Sequence, residues 1–204
     1  ELIFFNVALI KVKSLGLTSR HRMQIKIPIS ATIPSSDYII LGGSGDLSTR
    51  KILPALFWRF LDGQIDETFN VYICFRGELS LTKLESKIFE HQPNLQNGRE
   101  VEWDQFKQII RFNKIDVHSG SGFNVLRDEL LSTMSESRPL IFYLALSSNL
   151  FSEACKLLQK VNLNVPQSRL VIEKPLGHNK DSAQKINEDI TKYFNESQIY
   201  RIDH

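Results

Sequence analysis

The chain is poor in cysteine. Only Cys74 and Cys155 occur in 204 residues, each inside an apolar stretch. That excludes a disulfide-stapled secreted scaffold and reads as two reduced, packing thiols of an intracellular protein. Long hydrophobic runs are also missing. No segment approaches the ~18–20 apolar residues of a spanning helix, so no membrane partner is expected. Net charge is small, +2, too weak to mark a nucleic-acid binder. Repeats, low-complexity tracts and metal-ligand constellations are absent, and no metal is expected. What remains is a 42% hydrophobic chain, long enough to bury one sizeable core.

Residues 1–36 carry Lys11, Lys13, Arg20, Arg22 and Lys26 against Glu1 alone. The basic residues follow the apolar start instead of preceding it, the reverse of a signal peptide. This segment reads as a poorly ordered N-terminal extension, with 37–204 as the structured domain. From Asp37 the pattern is regular. The apolar runs DYIILGG, VYICF, QIIRFNKIDV, LIFYLALS, RLVIEKP and QIYRIDH read as six strands. Between them lie helical patterns, the first being LSTRKILPALFWRFLDG, where Pro54 should kink or split the helix. Apolar strands alternating with helices call for a parallel sheet covered on both faces, an α/β doubly wound, Rossmann-type domain.

The turn GGSGDLS joins the first strand to the first helix. Glycines there permit a sharp turn and let backbone N–H groups approach a pyrophosphate at the helix N-terminus. No Gly-Lys-Ser/Thr follows, so a P-loop is excluded. The second strand ends in Phe75-Arg76-Gly77, where an NAD-preferring site would carry an acid. Arg76 can instead pair with a 2′-phosphate and stack on adenine, which favours NADP. At the exit of the fifth strand, Glu173-Lys174-Pro175 places a donor where substrate would meet the nicotinamide.

Four segments in order, IILGGSGDLSTRK, VYICFRGEL, LIFYLALS and RLVIEKPLGHNKDSAQKINEDITKYFNESQIYRIDH, resemble the N-terminal half of glucose-6-phosphate dehydrogenase. That family shows a GASGDL-type loop, an arginine after the second strand, FYLALPP, EKPFG and RIDHYLGKE. The resemblance implies NADP-dependent oxidation of glucose 6-phosphate at C1 to a 6-phosphogluconolactone. It also implies a cytoplasmic enzyme of the pentose phosphate pathway whose parent is a homo-oligomer. By the same resemblance Gly42, Gly43, Ser44, Gly45, Asp46 and Leu47 hold the pyrophosphate and Arg76 the 2′-phosphate. Lys174 touches both sugar and cofactor, His204 binds the substrate phosphate, and Asp203 orients the catalytic base, a histidine expected beyond position 204.

Three departures stand out. Ser147 and Ser148 replace two prolines, which should loosen that turn; Gly77 replaces a serine beside Arg76; and RFNKIDV differs from the family's third-strand ending. His91 and His118 are expected in loops distant from the site, and His178 as an exposed loop residue. A glucose–fructose oxidoreductase-type enzyme and a non-catalytic NADP-binding remnant are the alternative readings; the first lacks the SGDL loop and the RIDH ending. With the base expected past His204, the 204-residue chain alone should form no NADPH from glucose 6-phosphate. Absorbance at the NADPH band checks this, and turnover would mean that a residue within the chain supplies the base.

Overall fold

A computed structural model describes residues 34–174, 176–177 and 179–202. The expected N-terminal extension lies outside the described residues, apart from its last three. Six parallel strands form one sheet in the order β3-β2-β1-β4-β5-β6. They are β1 (Asp37–Leu41), β2 (Asn70–Phe75), β3 (Ile110–Lys114), β4 (Leu140–Leu144), β5 (Ser168–Glu173) and β6 (Ile199–Ile202). The direction of winding reverses between β1 and β4, which is the switch point where ligands of open α/β sheets bind. The sequence expectation of a doubly wound sheet is met.

Both faces of the sheet are covered, and each cover has its own core. On one face lie α1 (Leu53–Leu61), α2 (Leu81–His91) and α3 (Glu100–Gln108). Their Phe57, Leu84, Ile88, Trp103 and Phe106 pack on Ile40, Ile73 and Val71. The opposite face carries α4 (Phe123–Leu131), α5 (Phe151–Lys160) and α6 (Lys180–Ile190), whose apolar sides meet Ile39, Leu41, Phe142, Leu170 and Ile172. Strands β1 and β4 are buried throughout, which is why they read as continuous apolar runs rather than alternating ones. Cys74 and Cys155 are free and buried. Burial pushes the Cys155 thiol up to about 12, consistent with the packing role expected for it.

The first helix meets the expectation for Pro54, dividing into a short first turn and a longer second piece. Residues Ser48–Ile52 form a π-helical turn that runs directly into α1, with the Leu53 N–H donating to the Ser48 carbonyl. Proline cannot supply the N–H that a regular helix would direct at the carbonyl four residues earlier, that of Arg50. The widened turn absorbs the steric conflict. Gln92 Nε2 then donates to the Arg50 carbonyl at 2.9 Å. The helix is split in hydrogen-bonding pattern without being interrupted.

At the opposite end of the sheet from the glycine turn, β1 is anchored by a buried ion pair. Asp37 is fully buried and accepts from Arg138 Nη2 at 2.6 Å and Nε at 3.0 Å. Asn70 Nδ2 donates to the same carboxylate at 2.8 Å and Thr133 Oγ1 at 3.1 Å. One carboxylate therefore ties the start of β1 to the start of β2 and to the connection entering β4. Removing either partner leaves a desolvated charge, and Asp37→Ala or Arg138→Ala should each cost about 3–5 kcal/mol. The double variant should lose clearly less than the sum in urea unfolding. Additive losses would show that the two side chains act independently.

Candidate functional site

The carboxyl ends of β1, β2, β3 and β4 open onto a cleft of about 380 Å³, lined among others by Gly42, Ser44, Gly45, Arg76, Asp116, His118, Ala145 and Ser147. Its size suits part of a nucleotide. Gly42 has φ +91, and a Cβ there would lie 2.2 Å from the carbonyl oxygen of Ala145. Only glycine fits both the backbone conformation and the space. A Cβ on Gly43 would come within 2.6 Å of Ile73. The N–H groups of Gly42 and Gly43 both donate to the Cys74 carbonyl, at 3.0 and 2.8 Å. These two glycines thus shape the turn with their N–H groups engaged inside the protein. Gly45 N–H donates to the Gly42 carbonyl at 3.0 Å, and Ser48 Oγ to the same oxygen at 3.1 Å.

The expected site residues divide into groups. Gly42, Ser44, Gly45 and Arg76 line one cleft. Gly43 is buried behind it and Leu47 packs into the core on the α1 side. Asp46 opens the helix, with its side chain 3.3 Å from Arg50 Nη1 and 3.6 Å from His91 Nε2. A carboxylate cannot itself hold a phosphate, so any role of Asp46 toward a pyrophosphate passes through its backbone. Lys174 stands beyond β5, its N–H donating to the Ile202 carbonyl at 2.9 Å; it does not line this cleft. Asp203, His204, Pro175 and His178 lie outside the described residues. Arg201, in β6, is a packing residue. Its guanidinium bonds Glu196 at 2.6 Å and the Asn187 side chain at 3.0 Å, fastening α6 to β6.

His91 and His118 are not distant, contrary to the expectation. His118 lines the cleft beside Arg76, and His91 reaches Asp46 at the glycine loop. The third strand is also shorter than expected. The sequence reading carried the third strand through Val117, whereas β3 ends at Lys114. Only Ile115 continues the pairing, through its N–H to the Phe75 carbonyl at 2.8 Å. Residues 116–121 then fold into a closed turn, with Gly120 N–H on the Asp116 carbonyl. Asp116 and His118 therefore sit at a strand's carboxyl end next to β2, where the topology rule would have found them. The backbone N–H of His118, with the Ser119 hydroxyl and the Arg76 charge, holds the Asp116 carboxyl below the usual range.

Two of the departures from the family pattern have a definite backbone setting at the cleft. Ser147 has φ −64 and ψ 139, the φ a proline would impose, and its carbonyl accepts from Leu150 N–H at 2.9 Å. The turn keeps a proline-like course without proline. Gly77 has φ +90, so glycine serves the conformation there. Near the exit of β5, Tyr143 donates its hydroxyl to Glu173. Burial, then that bond and the carboxylate's charge, push the Tyr143 phenol up, and it stays protonated.

Residues 39–204 match the family model described as glucose-6-phosphate dehydrogenase, NAD binding domain. The chain is 33% identical over 171 residues to a glucose-6-phosphate 1-dehydrogenase of Rhizobium meliloti, covering 82% of this chain and 34% of that protein. It is 35% identical over 175 residues to that of Mycolicibacterium smegmatis, covering 82% and 35%. A solved glucose-6-phosphate dehydrogenase in complex with its substrate glucose-6-phosphate superposes with a TM-score of 0.74 at 28% identity, covering 86% of this chain and 38% of that one. The chain thus spans about a third of the length of the curated relatives it matches.

A contrast between two glycines tests the turn. Gly77→Ala, with positive φ but open space around it, should cost about 1–2 kcal/mol. Gly42→Ala adds a clash with fixed backbone and should cost at least ~2 kcal/mol more, read by urea unfolding. Equal costs would mean that the Ala145 carbonyl yields freely.

Proposed function

The chain belongs to the glucose-6-phosphate dehydrogenase family, and from that premise we propose that its cleft binds NADP as the nucleotide-binding part of an enzyme oxidising glucose 6-phosphate at C1. The product would be a 6-phosphogluconolactone. The observation that carries the cofactor reading is the meeting of Arg76 and the glycine loop in one cleft at the switch point between β1 and β4.

The residues present suit a dinucleotide. Ser44 and Gly45 stand at the start of a helix, whose first N–H groups and dipole favour an anion. Gly42 and Gly43 let the turn pack closely on Ala145 and Ile73, where β-carbons would clash. Phe75, Ile115, Val117, Leu146 and Leu150 supply apolar walls for a purine, and Arg76 at their rim offers a planar cation for a 2′-phosphate. Bound nicotinamide would supply a hydride acceptor. Lys174, at the end of β5, would sit on the nicotinamide side of the switch point and donate to a sugar hydroxyl. By the family resemblance, His204 would grip the substrate phosphate, and Asp203 would orient and charge-stabilise the histidine that takes the C1 hydroxyl proton. The protonated Tyr143 bonded to Glu173 would keep the exit of β5 in place beneath Lys174.

Cofactor choice is testable on the chain itself. Arg76→Ala should weaken NADP about 10- to 100-fold, the range of a charge-assisted phosphate bond, and NAD by less than about threefold. Fluorescence titration of both dinucleotides reads the ratio. Equal binding of NADP and NAD before and after the substitution would remove Arg76 from the 2′-phosphate.

A further inference from the structure

Helix α2 and the residue that caps its C-terminus, Gln92, reach across to the glycine loop and the π-helical turn through three side chains. Lys87 Nζ donates to the Ser44 carbonyl at 2.8 Å. His91 Nε2 lies 3.6 Å from Asp46 Oδ1, and Gln92 Nε2 donates to the Arg50 carbonyl at 2.9 Å. Lys87 and His91 are one turn apart and so project from the same side of the helix. Two of the three contacts end on main-chain oxygens, so they constrain backbone. Gln92 answers a vacancy created by Pro54, but no such vacancy explains Lys87.

The Ser44–Gly45 peptide is held at both ends. Its carbonyl accepts from Lys87, and its N–H donates to the Gly42 carbonyl at 3.0 Å. Gly45 has no β-carbon to resist rotation of this unit. Were it to turn over, both bonds would break and the Ser44 carbonyl, no longer held by Lys87, would be free to oppose the anion-favouring helix start. Ser44 and Gly45 line the cleft, whereas Lys87 does not. Lys87 can therefore act on a ligand through the loop without touching it.

We propose that Lys87 is a positioning residue for dinucleotide binding, fixing the Ser44–Gly45 peptide so that its carbonyl stays turned toward α2 and off the pyrophosphate. The inference rests on the dinucleotide reading of the cleft given above. Because the pyrophosphate is common to both cofactors, Lys87 must affect NADP and NAD alike, whereas Arg76 must distinguish them.

The test titrates NADP and NAD into the 204-residue chain as wild type, Lys87→Met and Lys87→Arg. Lys87→Met should weaken both dinucleotides by the same factor, about five- to tenfold, with an unchanged thermal midpoint. Lys87→Arg should recover most of the affinity. Without dinucleotide, amide exchange at Gly45 should quicken in Lys87→Met and not in Lys87→Arg. Wild-type affinity in Lys87→Met overturns the proposal, as does a loss confined to NADP, which would make Lys87 a 2′-phosphate contact. A lowered midpoint with unaltered exchange at Gly45 overturns it too, by reducing Lys87 to general stability. If wild type binds neither dinucleotide, the reading of the cleft fails and the role of Lys87 with it. If wild type binds both and Lys87→Met binds equally well, Lys87 alone is refuted.

Discussion

A β-carbon at position 42 would sit 2.2 Å from the carbonyl oxygen of Ala145, and the site is organised around that closeness. Strands β1 and β4 are neighbours in the sheet, yet their connections leave toward opposite faces. The turn after β1 must therefore start with backbone against backbone. Gly42 meets this with φ +91, and its own N–H and that of Gly43 bend back onto the Cys74 carbonyl instead of facing outward. The crevice between the diverging chains is what remains once these contacts are made.

The turn is not self-supporting. Ser48 caps the Gly42 carbonyl from within the first helix, and α2 with its C-terminal capping residue supplies Lys87, His91 and Gln92 from across the cleft-bearing end. Pro54 is part of the same arrangement. By removing one helical hydrogen bond it widens the preceding turn, and the freed Arg50 carbonyl becomes an anchor for α2. A feature that reads locally as a helix defect thus connects the glycine loop to the second layer. At the far end of β1, the Asp37–Arg138 pair fixes the strand that carries this turn.

Much of the fold was legible because the strands are buried on both faces. DYIIL, VYICF and LIFYL carry no polar interruption after their first residues, and such runs alternating with helical segments fit a covered parallel sheet. The third strand was less legible. In Lys114-Ile115-Asp116-Val117 polar and apolar residues alternate, which is also what a half-buried strand looks like. In the structure Ile115 and Val117 are instead apolar lining of a turn, and Asp116 points back to its own loop. At Ser147 the backbone takes a proline-like φ without the proline ring, with its carbonyl bonded to the Leu150 N–H.

The sequence by itself determined the layer order, the position of the glycine turn and the presence of an arginine at the end of β2, because these follow from local patterns of burial and backbone freedom. Only the tertiary structure decided which N–H groups the turn keeps for itself. It also decided that His118 and Asp116 share the cleft with Arg76, and that α2 grips the loop through Lys87. Each of these depends on contacts between segments far apart in the chain, and no local pattern encodes the distance between them.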